Sequence, residues 1–220
     1  MLPFTHQQFM FVFSVYNGAI WPLQPIVHAA GLVMLAFLVW PTPGRDRAGG
    51  GLLAALWIWT GLVYQIGFFS RINPIALAFG AGFVVQGVLL LEAALRGKLR
   101  FATSTRLRLA TGWALFAYSL FVYPLIGIAN GASYFDLPAF GLTPCPVTLA
   151  TVGMLLLARS PVPGRLYVIP VAWALVGGSA AALLRMPQDG PLLLAPVLLA
   201  IVVAHDHLRG RGGRDRTRPA

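Results

Sequence analysis

The sequence predicts an all-α fold: a polytopic membrane bundle of seven transmembrane helices, N-terminus outside and C-terminus in the cytoplasm, preceded by a short amphipathic helix. Three observations predict it. Of 220 residues, 58% are hydrophobic and only 10% charged, where a soluble domain carries about 25% charged residues. The apolar residues fall in serial runs near the length that a bilayer core of roughly 30 Å requires, about 20 residues per helix. The basic residues are sorted between alternate loops.

The elements follow in order. Thr5–Gly18 opens with Thr5 and Gln8 at capping-box spacing, and Phe9, Phe13 and Tyr16 recur at helical intervals. This segment is either an interfacial helix on the outer face or an early start to the first span. Seven spans then read as Ile20–Trp40, Gly51–Phe69, Pro74–Leu95, Leu107–Ile128, a fifth ending near Ala158, Leu166–Leu184 and Gly190–Ala204, each bounded by Pro, Gly or charge. No Lys or Arg precedes Arg45, so the positive n-region of a signal peptide is missing and the first helix is expected to stay. Residues 1–206 form one membrane domain, and 207–220 a basic, disordered cytoplasmic tail.

Orientation comes from counting Arg and Lys. The loops after spans one, three and five, together with the tail, hold 14, among them Arg45, Arg96, Arg108 and Arg165; the opposite loops hold only Arg71 and Arg185. The positive-inside rule puts the 14 in the cytoplasm, and the expected location is the inner membrane. The formal charge is +10, but its clustering between apolar runs argues for topology signals and against nucleic acid. The expected partners are the lipid bilayer, anionic lipid at the tail and an unknown small molecule; the sequence leaves oligomeric state open.

The residues least like lipid-facing ones gather on the outer side. They include Tyr16-Asn17, Trp21 through Gln24, Tyr64, Asn73-Pro74, Tyr123-Pro124, the loop 130–146 with Tyr134, and Gln188-Asp189. An aromatic belt accounts for part of this, but not for the Asn, Gln, Asp and Pro. The fifth span is the irregular one. Pro144 and Pro146 bracket Cys145, the only cysteine, and proline belongs in the first turn of a helix. A helix from Pro146 to Ala158 spans only about 20 Å. Tyr134–Thr143 is therefore expected to enter the membrane as non-helical chain, buried in protein or lining a cavity.

The ligand-binding candidates are Tyr16, Asn17, Trp21, Gln24, His28, Tyr64, Asn73, Tyr134, Cys145, Thr148, Trp173, Gln188 and Asp189. His28 lies inside the first span, where a polar side chain either serves function or bonds a neighbouring carbonyl. Cys145 is a poor metal site alone, since zinc and copper want more soft ligands, so no metal is expected. Gln65 and Gln86 either line a pathway or bond between helices. Glu92, four residues before Arg96, reads as a solvated ion pair. Retinal chemistry is excluded because Lys98, the only lysine, falls in a loop. A b-type haem would need a second intramembrane His. No cofactor is expected, and no catalytic motif is present.

Tyr16-Asn17 with Trp21-Pro22, Asn73-Pro74, Tyr123-Pro124, Phe140-Gly141 with Pro144-Cys145-Pro146-x-Thr148, and Pro187-Gln188-Asp189 together resemble an uncharacterised family of bacterial multi-span membrane proteins. Val147 and Ala132 depart from its pattern. The resemblance covers nearly the whole chain and implies a small inner-membrane protein of unknown function. Two functional expectations remain. One is a permease-like transporter of a small solute, open to the outer face, with spans one to three and five to seven as parallel repeats about the fourth. The other is a non-enzymatic binding or sensory module with an outer pocket of Tyr16, Asn17, Trp21, Tyr134, Cys145 and Gln188. A Cys145 nucleophile would need His6 or His28 as its base.

Overall fold

The computed structural model describes residues 2–101, 105–159 and 161–215, with only the backbone of 206–215. Nine α-helices are described: α1 (His6–Ile20), α2 (Leu23–Val39), α3 (Arg45–Trp59), α4 (Ala76–Leu95), α5 (Arg106–Ala117), α6 (Tyr123–Ala129), α7 (Pro144–Leu157), α8 (Arg165–Leu183) and α9 (Gly190–Asp215). No strand occurs among the described residues. The backbone of α9 continues as helix into the basic tail, and residues 216–220 lie outside the described residues.

Five helical stretches are long and apolar enough to cross a membrane: Arg45–Arg71, Ala76–Leu95, Arg106–Ala129, Arg165–Leu183 and Pro187–His205. The other two predicted spans come out differently. The first, expected at Ile20–Trp40, is α2, and the expected helix before it, Thr5–Gly18, is α1; the two meet at 86° at Trp21-Pro22. Hydropathy registers how much apolar chain is present, not its direction. Taken together, the bent pair makes a sixth candidate span. The capping box at the start of α1 is formed: Gln8 N–H donates to Thr5 Oγ1 at 3.2 Å, and Thr5 N–H to Gln8 Oε1 at 2.8 Å.

The fifth predicted span is α7, 14 residues long, or about 21 Å. Every residue of α7 except Cys145 is buried. This helix, and not the fourth predicted span, forms the centre of the bundle, packed against α3, α5, α8 and α9. Of the expected non-helical entry Tyr134–Thr143, residues 137–143 lead into α7 without regular helix and are mostly buried, whereas Tyr134–Asp136 form a short 3-10 turn with Tyr134 and Phe135 exposed. Four carbonyls of 137–143 accept from side chains, in keeping with the need of buried backbone for partners. Asn17 Nδ2 donates to Leu137 O at 2.8 Å, Thr143 Oγ1 to Ala139 O at 3.0 Å, Thr60 Oγ1 to Gly141 O at 3.3 Å and Tyr16 OH to Leu142 O at 2.8 Å. Gly141 sits at φ +69, and a Cβ there would fall 2.8 Å from Leu56 Cδ1. Both the turn and the packing demand glycine.

The other end of α7 raises the same problem, because the last four carbonyls of a helix have no partner within it. Arg108 of α5 supplies one. Its Nε donates to Leu156 O at 3.0 Å, and its Nη2 to Leu155 O at 3.2 Å and Ala158 O at 3.4 Å. Arg108 is 3% exposed, so one of the 14 counted loop charges is an interior cap. A cation is also the favoured charge at a helix C-terminus. Glu92, by contrast, does form the expected surface pair, 3.0 Å from Arg96 and 2.8 Å from Arg165.

Small residues let the helix backbones touch, as is usual where lipid offers no hydrophobic drive to association. A Cβ added at Gly112 would lie 2.9 Å from Gly153 O, and one at Gly153 would lie 2.8 Å from Gly112 O. The α5–α7 contact is built on that reciprocal approach.

Candidate functional site

Two spans carry π-helical segments, Thr60–Phe68 after α3 and Tyr118–Val122 between α5 and α6. Such segments are rare and concentrate at functional sites. The second has a local cause. Pro124 lacks an N–H, and its ring would collide with the carbonyl four residues earlier; widening the turn relieves that. The first lines a cavity through Tyr64, and the second leads directly into Tyr123, which lines it too; the cavity occupies about 770 Å³ between α1, α4, α7 and α8. That is within the range of small-molecule sites.

The walls of the cavity are apolar, and its inner end is polar. Asp189, just before α9, is 3% exposed and lines it with Tyr123, Cys145, Trp173, Tyr64 and Asn73. Tyr123 OH donates to Asp189 Oδ1 at 2.7 Å. The Cys145 thiol lies beside the Asp189 carboxyl and the Trp173 indole N–H. That N–H meets no oxygen acceptor. Tyr118 OH donates to Gln188 O at 2.8 Å, which fixes the turn that presents Asp189. Among the described residues no backbone N–H donates to the carboxyl, so it is not a helix cap, and no cationic group lies within 4.0 Å. An ionisable group so placed in an apolar bundle is costly and calls for a functional reading.

On the outer flank the cavity is bordered by Ile75, just before α4, and by Leu175, Val176, Ser179 and Leu183 of α8. These five are exposed, so the cavity reaches the outer surface of the bundle there.

The thirteen candidates divide into two groups. Tyr64, Asn73, Cys145, Trp173 and Asp189 line the cavity. The others act mainly as ties. Tyr16 accepts from Trp59 Nε1 at 2.9 Å while donating to Leu142 O. Asn17 holds Phe135 O at 2.7 Å as well as Leu137 O, and Gln24 Nε2 holds Asn17 O at 2.7 Å. Trp21 is exposed and meets Tyr134 edge-on at 5.8 Å. Half-buried His28 faces the Phe140 ring at 6.1 Å, and Thr148 Oγ1 donates to Pro144 O at 2.7 Å. Gln188 contributes its carbonyl. The pocket imagined from Tyr16, Asn17, Trp21, Tyr134, Cys145 and Gln188 is thus not one place, since only Cys145 of the six lines the cavity. Of the two deep glutamines, Gln86 bonds across to Leu166 O at 2.9 Å, while both amide atoms of Gln65 are without a partner.

Sequence reading did not select Tyr118 or Tyr123, because tyrosines near span ends pass for an interfacial belt. Pro124 inside an apolar run was the signal that the helix changes pitch there.

No curated protein and no solved structure matches the chain. A family model matches residues 6–212, nearly the whole sequence, and the chain belongs to that family, described as a family of unknown function (DUF6064).

Proposed function

We propose that this protein is a seven-span inner-membrane protein, N-terminus outside and C-terminus cytoplasmic, that binds a small amphipathic molecule in the cavity. The observation that carries this reading is a 770 Å³ space with apolar walls and a buried carboxyl, two tyrosines, a thiol and an indole N–H at one end. Such a space suits a ligand with a polar head and an apolar body. Access from the lipid-facing flank is supported by the exposed apolar border of Ile75 and the α8 residues Leu175, Val176 and Leu183.

Cys145 is the only cysteine and lines the cavity, so its modification reports access. N-ethylmaleimide should label it in isolated membranes, and Ala180→Trp, which fills the cavity, should slow labelling at least tenfold. Equal rates in the two proteins would remove the cavity as a route to Cys145. Topology is tested separately in a Cys145→Ser background. Ser133→Cys is expected to react with an impermeant maleimide in intact cells, and Lys98→Cys only after permeabilisation. The opposite pattern would invert the orientation.

Permease-like transport is the second reading. It is favoured by the two π-helical segments beside the cavity, where a helix can change register and reshape the space. Flux of a bound molecule across proteoliposomes distinguishes it from a sensory module, which binds without flux.

A further inference from the structure

We infer that the ligand is an organic cation, its ammonium group paired with Asp189 among the rings of Tyr64, Tyr123 and Trp173, and its apolar body extending toward the α8 flank. The inference rests on the cavity-binding reading and adds the ligand's charge.

Four observations support it. Among the described residues Asp189 is the only acidic one lining the cavity, and no Lys, Arg or His lines it. The neighbours of that carboxyl, the Tyr123 hydroxyl and the Cys145 thiol, carry no positive charge. A cation bound from outside would favour the ionised form of a carboxyl whose own neighbours are neutral. Third, eight of the 25 lining residues are aromatic, about a third, against 12% of the whole chain. Ring faces attract cations, and aromatic cages are the recurrent means of holding ammonium groups. Trp173 is itself held among rings, 5.3 Å from Phe79 and 5.1 Å from Phe83, so its indole is fixed in place before any ligand arrives.

Competing ligand classes fit less well. An anion would meet a carboxyl and no basic residue. A sugar or other polyol needs many hydrogen-bonding partners, and most of the lining offers none. A metal ion would have Asp189 and one thiol, and no group of three His, Cys, Asp or Glu is found among the described residues.

The test uses three probes of matched shape, 4-phenylbutylammonium, 4-phenylbutanol and 4-phenylbutyrate. Each is titrated calorimetrically into the full chain in lipid nanodiscs, with empty nanodiscs subtracted. The expected order is ammonium at least tenfold tighter than alcohol, with the carboxylate weakest. Asp189→Asn should bring the ammonium within about threefold of the alcohol. Trp173→Leu should weaken the ammonium more than the alcohol. If the alcohol binds wild type as tightly as the ammonium, and Ala180→Trp abolishes both, the charge assignment is overturned while the cavity reading stands. If no probe binds, both fall. The order on wild type decides the question even if Asp189→Asn does not fold.

Discussion

Replacing Arg108 with alanine is expected to destabilise the protein by about 3 kcal/mol or more, since each buried acceptor left unmatched costs roughly 1–3 kcal/mol. Three carbonyls at the end of α7 accept from this one guanidinium, and of these Leu155 O also accepts from Tyr167 OH at 3.4 Å. Lysine keeps the charge but not the planar fork that reaches several acceptors, so Arg108→Lys should recover only part of the loss. Reversible unfolding in mixed micelles measures both. A loss below about 1 kcal/mol for the alanine variant, the net worth of an ordinary hydrogen bond, would show that the carbonyls find other partners. Arg106, exposed two residues earlier, is the control, and its alanine variant should sit within about 0.5 kcal/mol of wild type.

The second large effect is expected at Gly153. A Cβ there meets Gly112 O at 2.8 Å and Phe116 N at 2.9 Å. Both are backbone atoms, which cannot swing aside as a side-chain end can. Alanine in a helix interior gains about 1 kcal/mol over glycine, whereas overpacking costs about 1–3 kcal/mol. The clash should win: Gly153→Ala is expected to destabilise, and Gly153→Val to do so more strongly. Gly82 of α4 gives the opposite sign, because nothing lies within 4 Å of its would-be Cβ. Gly82→Ala should be neutral or stabilising by up to about 1 kcal/mol. The same unfolding experiment reads both, and a stabilising Gly153→Ala would refute the contact as drawn.

Much of the architecture was legible because bilayer thickness leaves few choices. Apolar runs of sufficient length marked the later spans within a few residues, and Thr5 with Gln8 marked the start of α1. The shortness of α7 was legible from Pro144 and Pro146, and so was the non-helical chain leading into it. Three features were not. Hydropathy has no direction, so it left open whether Thr5–Gly18 lies across the first span or continues it, and the 86° bend at Trp21-Pro22 was not legible. Counting charges treats every Arg at a span end as loop, yet Arg108, on the first turn of α5, lies inward against the end of α7.

The third concerns the site. Polar residues crowding one side of a membrane protein look like a binding surface from sequence. Here Asn17, Gln24 and Tyr16 are occupied in holding backbone that lacks a helix to satisfy it. The groups lining the cavity come from five parts of the chain: Tyr64, Tyr123, Cys145, Trp173 and Asp189. Their meeting depends on helix packing and on two changes of helical pitch, neither of which leaves a periodic mark.

The central helix also constrains how the chain is made. A ribosome releases α1 through α6 before Pro144 emerges. Fourteen residues are too few to cross the hydrocarbon alone, and insertion machinery that weighs each segment separately would find α7 wanting. The side chains that complete it, Tyr16, Asn17, Thr60 and Arg108, all precede it in the sequence. By the time α7 is synthesised, both the ties for its entry and the cap for its end are already in the membrane. The order of genes' translation thus matches the order of need, and a permuted chain beginning at α7 would have to insert its least self-sufficient element first.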